Sequence, residues 1–162
     1  HIMLSEWPLS HTHIWYVQFF APATGDYTHM TFFATNSSSN SYSGTVGVAI
    51  YTDIPGNPGA PGALIASGVP LPHSNANIDQ QYITIPFSAP ANLTAHTRYW
   101  AAIAADNTTG LVFSGFHNDY HGIYDIVKYQ TSGFSIGNGF PSIAATGNSL
   151  IDGEYAYWFR IY

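Results

Sequence analysis

The spacing in this chain that is most typical of a metal site is HNDYH, in which His117, Asp119 and His121 alternate. Alternate residues of a β-strand project from the same face, so these three side chains would lie together. Imidazole nitrogens and carboxylate oxygens are ligands of Zn²⁺, Ca²⁺ and other divalent cations. The pattern therefore predicts a divalent metal site, and the alternative is a polar loop that carries two neutral histidines.

A second set of candidate ligands consists of oxygen-bearing side chains at the ends of predicted strands: Asp53, Asn57, Asp106 and Asn107. Such oxygens could hold a structural Ca²⁺. The same side chains also cap turns, which explains them without a metal. No cofactor is certain from the sequence, and a structural divalent metal such as Ca²⁺ is the one for which it offers candidate ligands.

Aromatic and amide side chains next to the HNDYH segment could instead contact a sugar. The candidate glycan-binding residues are Asn118, Asp119, Tyr120 and Tyr124. A tyrosine ring can cover the C–H face of a pyranose while Asn and Asp accept hydrogen bonds from its hydroxyls. The alternative is that these tyrosines only provide polar surface in a chain with few charges.

Catalytic patterns are weak by comparison. Asp119 with Asp125, or Asp152 with Glu154, could serve as the carboxylate pair of a glycosidase, although no neighbouring residue in the sequence suggests tuned pKa values. The sequence contains no His-Glu-x-x-His and no phosphate-binding loop. We therefore expect a protein that is not an enzyme.

Composition narrows the classes of partner. Only 7% of the 162 residues are charged, and three basic residues against nine acidic ones give a net charge of −6. Binding to nucleic acid or to an anionic membrane surface requires clustered basic residues, so neither is expected. The chain has no cysteine, and no apolar run approaches the ~18 residues of a transmembrane helix. We expect no membrane insertion.

Alternating apolar residues predict the strands that must position these candidates. In the stretch from Gly44 to Gly68, an alternating strand leads into a loop dense in proline and glycine, after which a second strand begins. The run from Arg98 to Asp106 is typical of a central strand. Similar runs recur along the chain without any sustained helical period. The pattern predicts an all-β fold with almost no helix, namely an antiparallel β-sandwich of jelly-roll type.

One domain accounts for this pattern. Residues 1–13 are predicted to be a tag remnant and an N-terminal arm, and residues 14–162 a single β-sandwich domain. If Met3 is the native start, we expect no signal peptide. Polar or glycine-rich composition predicts loops at Asn36–Ser43, Leu71–Asp79, Asp106–Gly110 and Thr131–Ser149.

Four segments that follow one another between Gly44 and Asp106 resemble a known family. They are GTVGVAIYTD, PGALIASG, ITIPF and LTAHTRYWAAIAAD. This block resembles the β-sandwich modules of bacteriophage tail-fibre and other virion structural proteins. Similar modules are also appended to secreted bacterial proteins, where they resemble carbohydrate-binding domains. The chain departs from the pattern at His96, where the modules usually have glycine.

The resemblance implies a non-enzymatic virion structural protein, such as a fibre, tail or capsid-decoration module. It would form a homotrimer, contact other virion proteins, and present its loops to a host-surface glycan. His11 and His13 resemble the His-x-His pairs that bind an axial iron in some phage fibre trimers, although an exposed linker is the alternative. The expected location is the virion, outside the cell. The alternative is a carbohydrate-binding module of a secreted bacterial protein.

Overall fold

The computed structural model describes residues 4–8, 13–36, 42–56, 59–68, 71–75, 81–105, 111–117, 127–130, 136–144, 150–152, 155–157 and 159–162. Within these ranges the chain is almost entirely β-strand, and the one helical element described is a 3₁₀ turn at Ile136–Asn138. No helix in the described ranges is long and apolar enough to span a membrane. The predicted all-β fold is confirmed.

Thirteen strands are described, numbered in chain order. They are β1 (Leu4–Pro8), β2 (Ile14–Phe20), β3 (Gly25–Asn36), β4 (Tyr42–Ile54), β5 (Ala60–Ser67), β6 (Leu71–Asn75), β7 (Gln81–Leu93), β8 (Arg98–Ala105), β9 (Leu111–His117), β10 (Val127–Gln130), β11 (Leu150–Asp152), β12 (Tyr155–Tyr157) and β13 (Phe159–Ile161).

The strands form two sheets in which every described strand pair is antiparallel. The seven-stranded sheet has the order β11-β10-β2-β8-β4-β5, and β6 also pairs with β4. The six-stranded sheet has the order β1-β9-β3-β13, with β12 beside β9 and β7 beside β3. Two antiparallel sheets are consistent with the predicted β-sandwich, whereas the jelly-roll connectivity stays a prediction.

The main core lies between the two sheets. The six-stranded sheet contributes Met30, Phe32 and Ile85, all fully buried, and the seven-stranded sheet contributes residues such as Val48 and Ile103. These residues alternate along their strands with residues of the opposite face, as the two-residue period requires. The sequence prediction that Met30 and Phe32 form the buried face of β3 is therefore confirmed.

The seven-stranded sheet is buried on its outer face as well. Tyr16, Tyr51 and Trp100 project from that face and are fully buried, together with Ile136 and Ala144 from a later segment of the chain. Residues 136–144, which we call the covering segment, therefore lie over the sheet. The sequence predicts a surface excursion across Thr131–Ser149. In the described part of it Gly139, Ser142 and Ile143 are exposed, whereas Ile136 and Ala144 are buried against the aromatic residues of the sheet.

Backbone hydrogen bonds attach the covering segment to the edge of the seven-stranded sheet. The amide of Leu64 donates to the carbonyl of Ser142, and the amide of Ala144 donates to the carbonyl of Gly62, both at 2.9 Å. Ala63 and Ile143 thus form an antiparallel bridge, and the covering segment extends the sheet beyond β5.

A buried phenol attaches the covering segment to the sheet face. Tyr51 donates its hydroxyl hydrogen to the carbonyl of Pro141 at 2.8 Å, and its ring packs edge-on against Tyr16 at a centroid distance of 5.4 Å. Burial raises the pKa of the Tyr51 and Tyr16 phenols well above their ordinary value. Both rings therefore stay protonated and able to donate over the whole physiological range.

Two further segments differ from the sequence predictions. Leu4–Pro8, placed in an N-terminal arm, forms β1 and pairs with β9. Leu71–Asn75, predicted as loop, forms β6 and pairs with the first half of β4. Both segments carry proline, which lacks an amide donor and is tolerated mainly in edge strands. Where the domain begins stays a prediction.

The departure from the family-like pattern at His96 lies in the turn before β8. His96 has a φ of 57°, in the left-handed region that favours glycine, and its amide donates to the carbonyl of Ala21 at 2.9 Å. A side chain in this region costs about 1 kcal/mol relative to glycine. The backbone at this turn therefore has the conformation that glycine would adopt without strain.

Gly47 should be required for the docking of the covering segment. A Cβ at this position would lie 2.5 Å from Cδ1 of Ile136 and 2.9 Å from Cε2 of Phe140, well inside van der Waals contact. We expect Gly47→Ala to lower the free energy of unfolding by about 1–3 kcal/mol through overpacking, measured by urea denaturation. Gly25→Ala is the matched control, because its Cβ would meet no atom within 4 Å. Equal stability of the two variants would contradict this packing.

Substitution of His96 by glycine should stabilise the protein. Relief of the left-handed strain outweighs the greater entropy that glycine adds to the unfolded chain, so we expect a gain of about 0.5–1 kcal/mol. Thermal unfolding should show a melting temperature about 1–4 °C higher. The neighbouring change Ala95→Gly relieves no strain and should lower it. A His96→Gly variant no more stable than wild type would show that the turn is relaxed.

Candidate functional site

The alternation that buries one face of β3, β7 and β13 places a set of polar and aromatic residues on the other face. Five of them lie together on the outer face of the six-stranded sheet, and we call them the outer-face cluster: Thr31, Phe33, Tyr82, Thr84 and Tyr162. The strand register aligns Thr31 with Thr84, and Phe33 with Tyr82. Tyr162 follows β13 and exchanges backbone hydrogen bonds with His29 of β3.

Three hydroxyl groups meet at the centre of this cluster. Thr31 Oγ1 lies 2.7 Å from Thr84 Oγ1, and the Tyr162 hydroxyl bonds Thr31 Oγ1 and lies 3.3 Å from Thr84 Oγ1. Each hydroxyl has one hydrogen to donate and two lone pairs to accept, so mutual bonding leaves acceptor capacity unused. Thr84 and Tyr162 are exposed, and their oxygens can therefore accept hydrogen bonds from a ligand.

Neighbouring groups hold the Tyr162 ring in place. The ring extends from the end of β13 to the hydroxyls of Thr31 and Thr84, and Arg160 and His29 both lie close to it. The Arg160 guanidinium carbon lies 5.3 Å from the ring centroid, and the His29 ring stacks at 5.9 Å. Hydrogen bonds with Thr31 and Thr84 lower the pKa of the Tyr162 phenol, and the positive charge of Arg160 lowers it further.

Tyr82 provides the open aromatic surface of the cluster. Its ring packs edge-on against Phe33, with centroids 5.1 Å apart and planes at 64°. Tyr82 remains 67% exposed, and Thr84 lies two residues further along the same strand. A strand rises about 3.4 Å per residue, so the ring and the hydroxyl group lie roughly 7 Å apart at their backbones. A small polar molecule can cover the ring and reach the hydroxyls together.

A charged site occupies the opposite side of the molecule. Asp53 accepts hydrogen bonds from Arg98 Nε at 2.9 Å and from Trp100 Nε1 at 2.7 Å, and its side chain is almost fully buried. A Cβ on Gly59 would lie 2.5 Å from Asp53 Oδ1, so the proline-rich loop packs directly on this carboxylate. The predicted Ca²⁺ ligand Asp53 therefore accepts hydrogen bonds from two protein donors, Arg98 and Trp100.

Most predicted site residues lie outside the described residues. Of the predicted metal ligands His117, Asp119 and His121, the structure describes only the backbone of His117, at the end of β9. All four predicted glycan contacts, and Asn57, Asp106, Asn107 and His11, also lie outside. His13 is described, and its ring stacks on Trp15 at 6.2 Å. Within the described ranges, no group of three or more His, Asp or Glu side chains could hold a metal ion.

Sequence analysis missed the outer-face cluster, although its signal was present. The run QYITIPF places Tyr82 out of phase with Ile83 and Ile85, and the buried pair Met30 and Phe32 places Thr31 on the opposite face. What the sequence did not indicate is which strands are neighbours. Tyr162 lies 131 residues from Thr31 in the chain, and the pairing of β13 with β3 brings them together.

Comparisons with known proteins identify no relative of this chain. No family model matches it, no curated protein matches it, and no solved structure matches it. A function therefore has to be inferred from the chemistry of its own residues.

Proposed function

We propose that this chain is a non-enzymatic virion structural protein, such as a fibre, tail or capsid-decoration module, that binds a host-surface glycan through the outer-face cluster. The observation that carries the glycan part is the exposed ring of Tyr82 beside the hydroxyls of Thr84 and Tyr162. Sugars present C–H faces and hydroxyl edges at once, which is the complement of this arrangement. The virion part is supported by the resemblance of Gly44–Asp106 and by the scarcity of charge.

Rigidity of the cluster supports binding rather than general surface polarity. Phe33 supports the Tyr82 ring, and strand pairing fixes the positions of Thr31 and Thr84. Little side-chain freedom is lost when a ligand binds a surface that is already ordered, so less of the contact energy is offset by entropy. A flat, open face gives modest affinity per copy, which linked copies on a virion would multiply.

Replacement of Tyr82 tests the glycan surface. We expect Tyr82→Ala to weaken glycan binding by roughly ten-fold or more, as truncation of a central aromatic contact usually does. Tyr82→Phe should retain most binding, because the ring face makes the contact. The measurement is a glycan array followed by calorimetric titration on the best ligand.

The matched control is Phe20→Ala, which removes an equally exposed aromatic ring, 62% exposed, from the seven-stranded sheet. It should leave binding unchanged, and both alanine variants should unfold within about 1 kcal/mol of wild type. Equal binding by wild type and Tyr82→Ala would exclude the outer-face cluster as the glycan surface.

The alternative function is that of a carbohydrate-binding module of a secreted bacterial protein. One observation favours it, namely that the outer-face cluster is built from strands of one chain and would be complete in a monomer. Light scattering distinguishes the two functions. We expect a homotrimer for the virion protein, and a monomer at all concentrations would favour the secreted module.

A further inference from the structure

We infer that the glycan bound by the outer-face cluster is acidic, and that Arg160 recognises its carboxylate. This inference rests on the proposed function and adds the chemical class of the ligand. Its basis is the position of an exposed guanidinium beside the hydroxyl groups of Thr84 and Tyr162, in a chain that has only three basic residues.

Arg160 lies in register with the centre of the cluster. Arg160 on β13 pairs with Thr31 on β3, and Thr31 pairs in turn with Thr84 on β7. The three residues therefore form one row across the outer face. The guanidinium carbon lies 5.3 Å from the centroid of the Tyr162 ring. Contact with the ring orients the planar guanidinium, and an oriented guanidinium can donate two parallel hydrogen bonds to one carboxylate.

The charge of Arg160 is not committed elsewhere in the described part of the chain. The ion pair found there joins Arg98 to Asp53, on the outer face of the other sheet, and Asp26 accepts a hydrogen bond from Asn92 at 2.8 Å. No described carboxylate lies within ion-pair distance of Arg160. An exposed cation next to unused hydroxyl acceptors is suited to an acidic sugar, whose carboxylate and hydroxyls project from one ring.

The net charge of −6 restricts the kind of acidic glycan. A densely charged polyanion would be repelled by the protein as a whole, whereas a single carboxylate close to Arg160 experiences mainly the local positive charge. The ligand class is therefore a glycan in which isolated uronate or other carboxylated sugars are separated by neutral ones.

The experiment compares each uronate-containing oligosaccharide with its carboxyl-reduced form, in which a neutral CH₂OH group replaces the carboxylate. We expect wild type to bind the acidic form roughly five-fold more tightly, with a preference that shrinks as salt increases. Arg160→Gln should abolish the preference, and Arg160→Lys should keep part of it, because lysine retains the charge without the planar fork. Lys128→Gln, which removes the same net charge from β10, should keep the full preference.

The outcomes separate this inference from the proposed function. Equal binding of both forms by wild type, with loss of both in Tyr82→Ala, overturns the acidic ligand and leaves the glycan surface standing. An unaltered preference in Arg160→Gln overturns the role of Arg160. Equal loss of both forms in Arg160→Gln shows that Arg160 only positions Tyr162. Failure of wild type to bind any member of either series overturns the acidic ligand, and the proposed glycan surface is overturned as well when no other glycan on the array binds.

Discussion

The whole structure depends on the burial of both faces of the seven-stranded sheet. Its central strand β8 is buried along its entire length after Arg98, with one face against the other sheet and one against the covering segment. A strand of this kind must be apolar on both sides. The outer face of the six-stranded sheet carries exposed side chains such as Thr84, Arg160 and Tyr162. The two sheets therefore differ, because the middle of one is covered on both sides and the other keeps an open face.

Much of the fold could be predicted from the sequence, because alternation and proline–glycine loops are local signals. The strand before Pro55, the central strand from Arg98 and the buried face of β3 are all present as predicted. The covering segment could not be predicted. Its composition is that of a surface loop. The apolar surface that docks beside Gly47 comes from Ile136 and Phe140, which the sequence alone does not mark as buried. Ile136 and Phe140 are covered only because β4 and β8, which are distant in the sequence, present apolar residues for them to pack against.

The candidate site was less predictable than the fold for the same physical reason. The phase of each strand indicates which residues point outward, so Tyr82 and Thr84 could have been placed on a common face. The order of strands in a sheet, by contrast, depends on residues that are far apart in the sequence. β13 pairs with β3 although most of the chain lies between them in sequence. Sequence analysis favoured residues close together in the chain, such as Tyr120 and Tyr124, whereas the outer-face cluster combines residues from three separated strands. The residues of the outer-face cluster are therefore close in the fold and distant in the sequence.

The backbone pairing between Ile143 and Ala63 has a consequence for the β5 edge of the seven-stranded sheet. A bare edge strand exposes unpaired amides and carbonyls that can recruit the edge of another molecule, and most proteins guard such edges with charged side chains. This chain has few charges to use for that purpose. Part of the β5 edge is covered by the chain's own backbone instead, so the amide of Leu64 and the carbonyl of Gly62 are already bonded and cannot pair with the edge of another molecule.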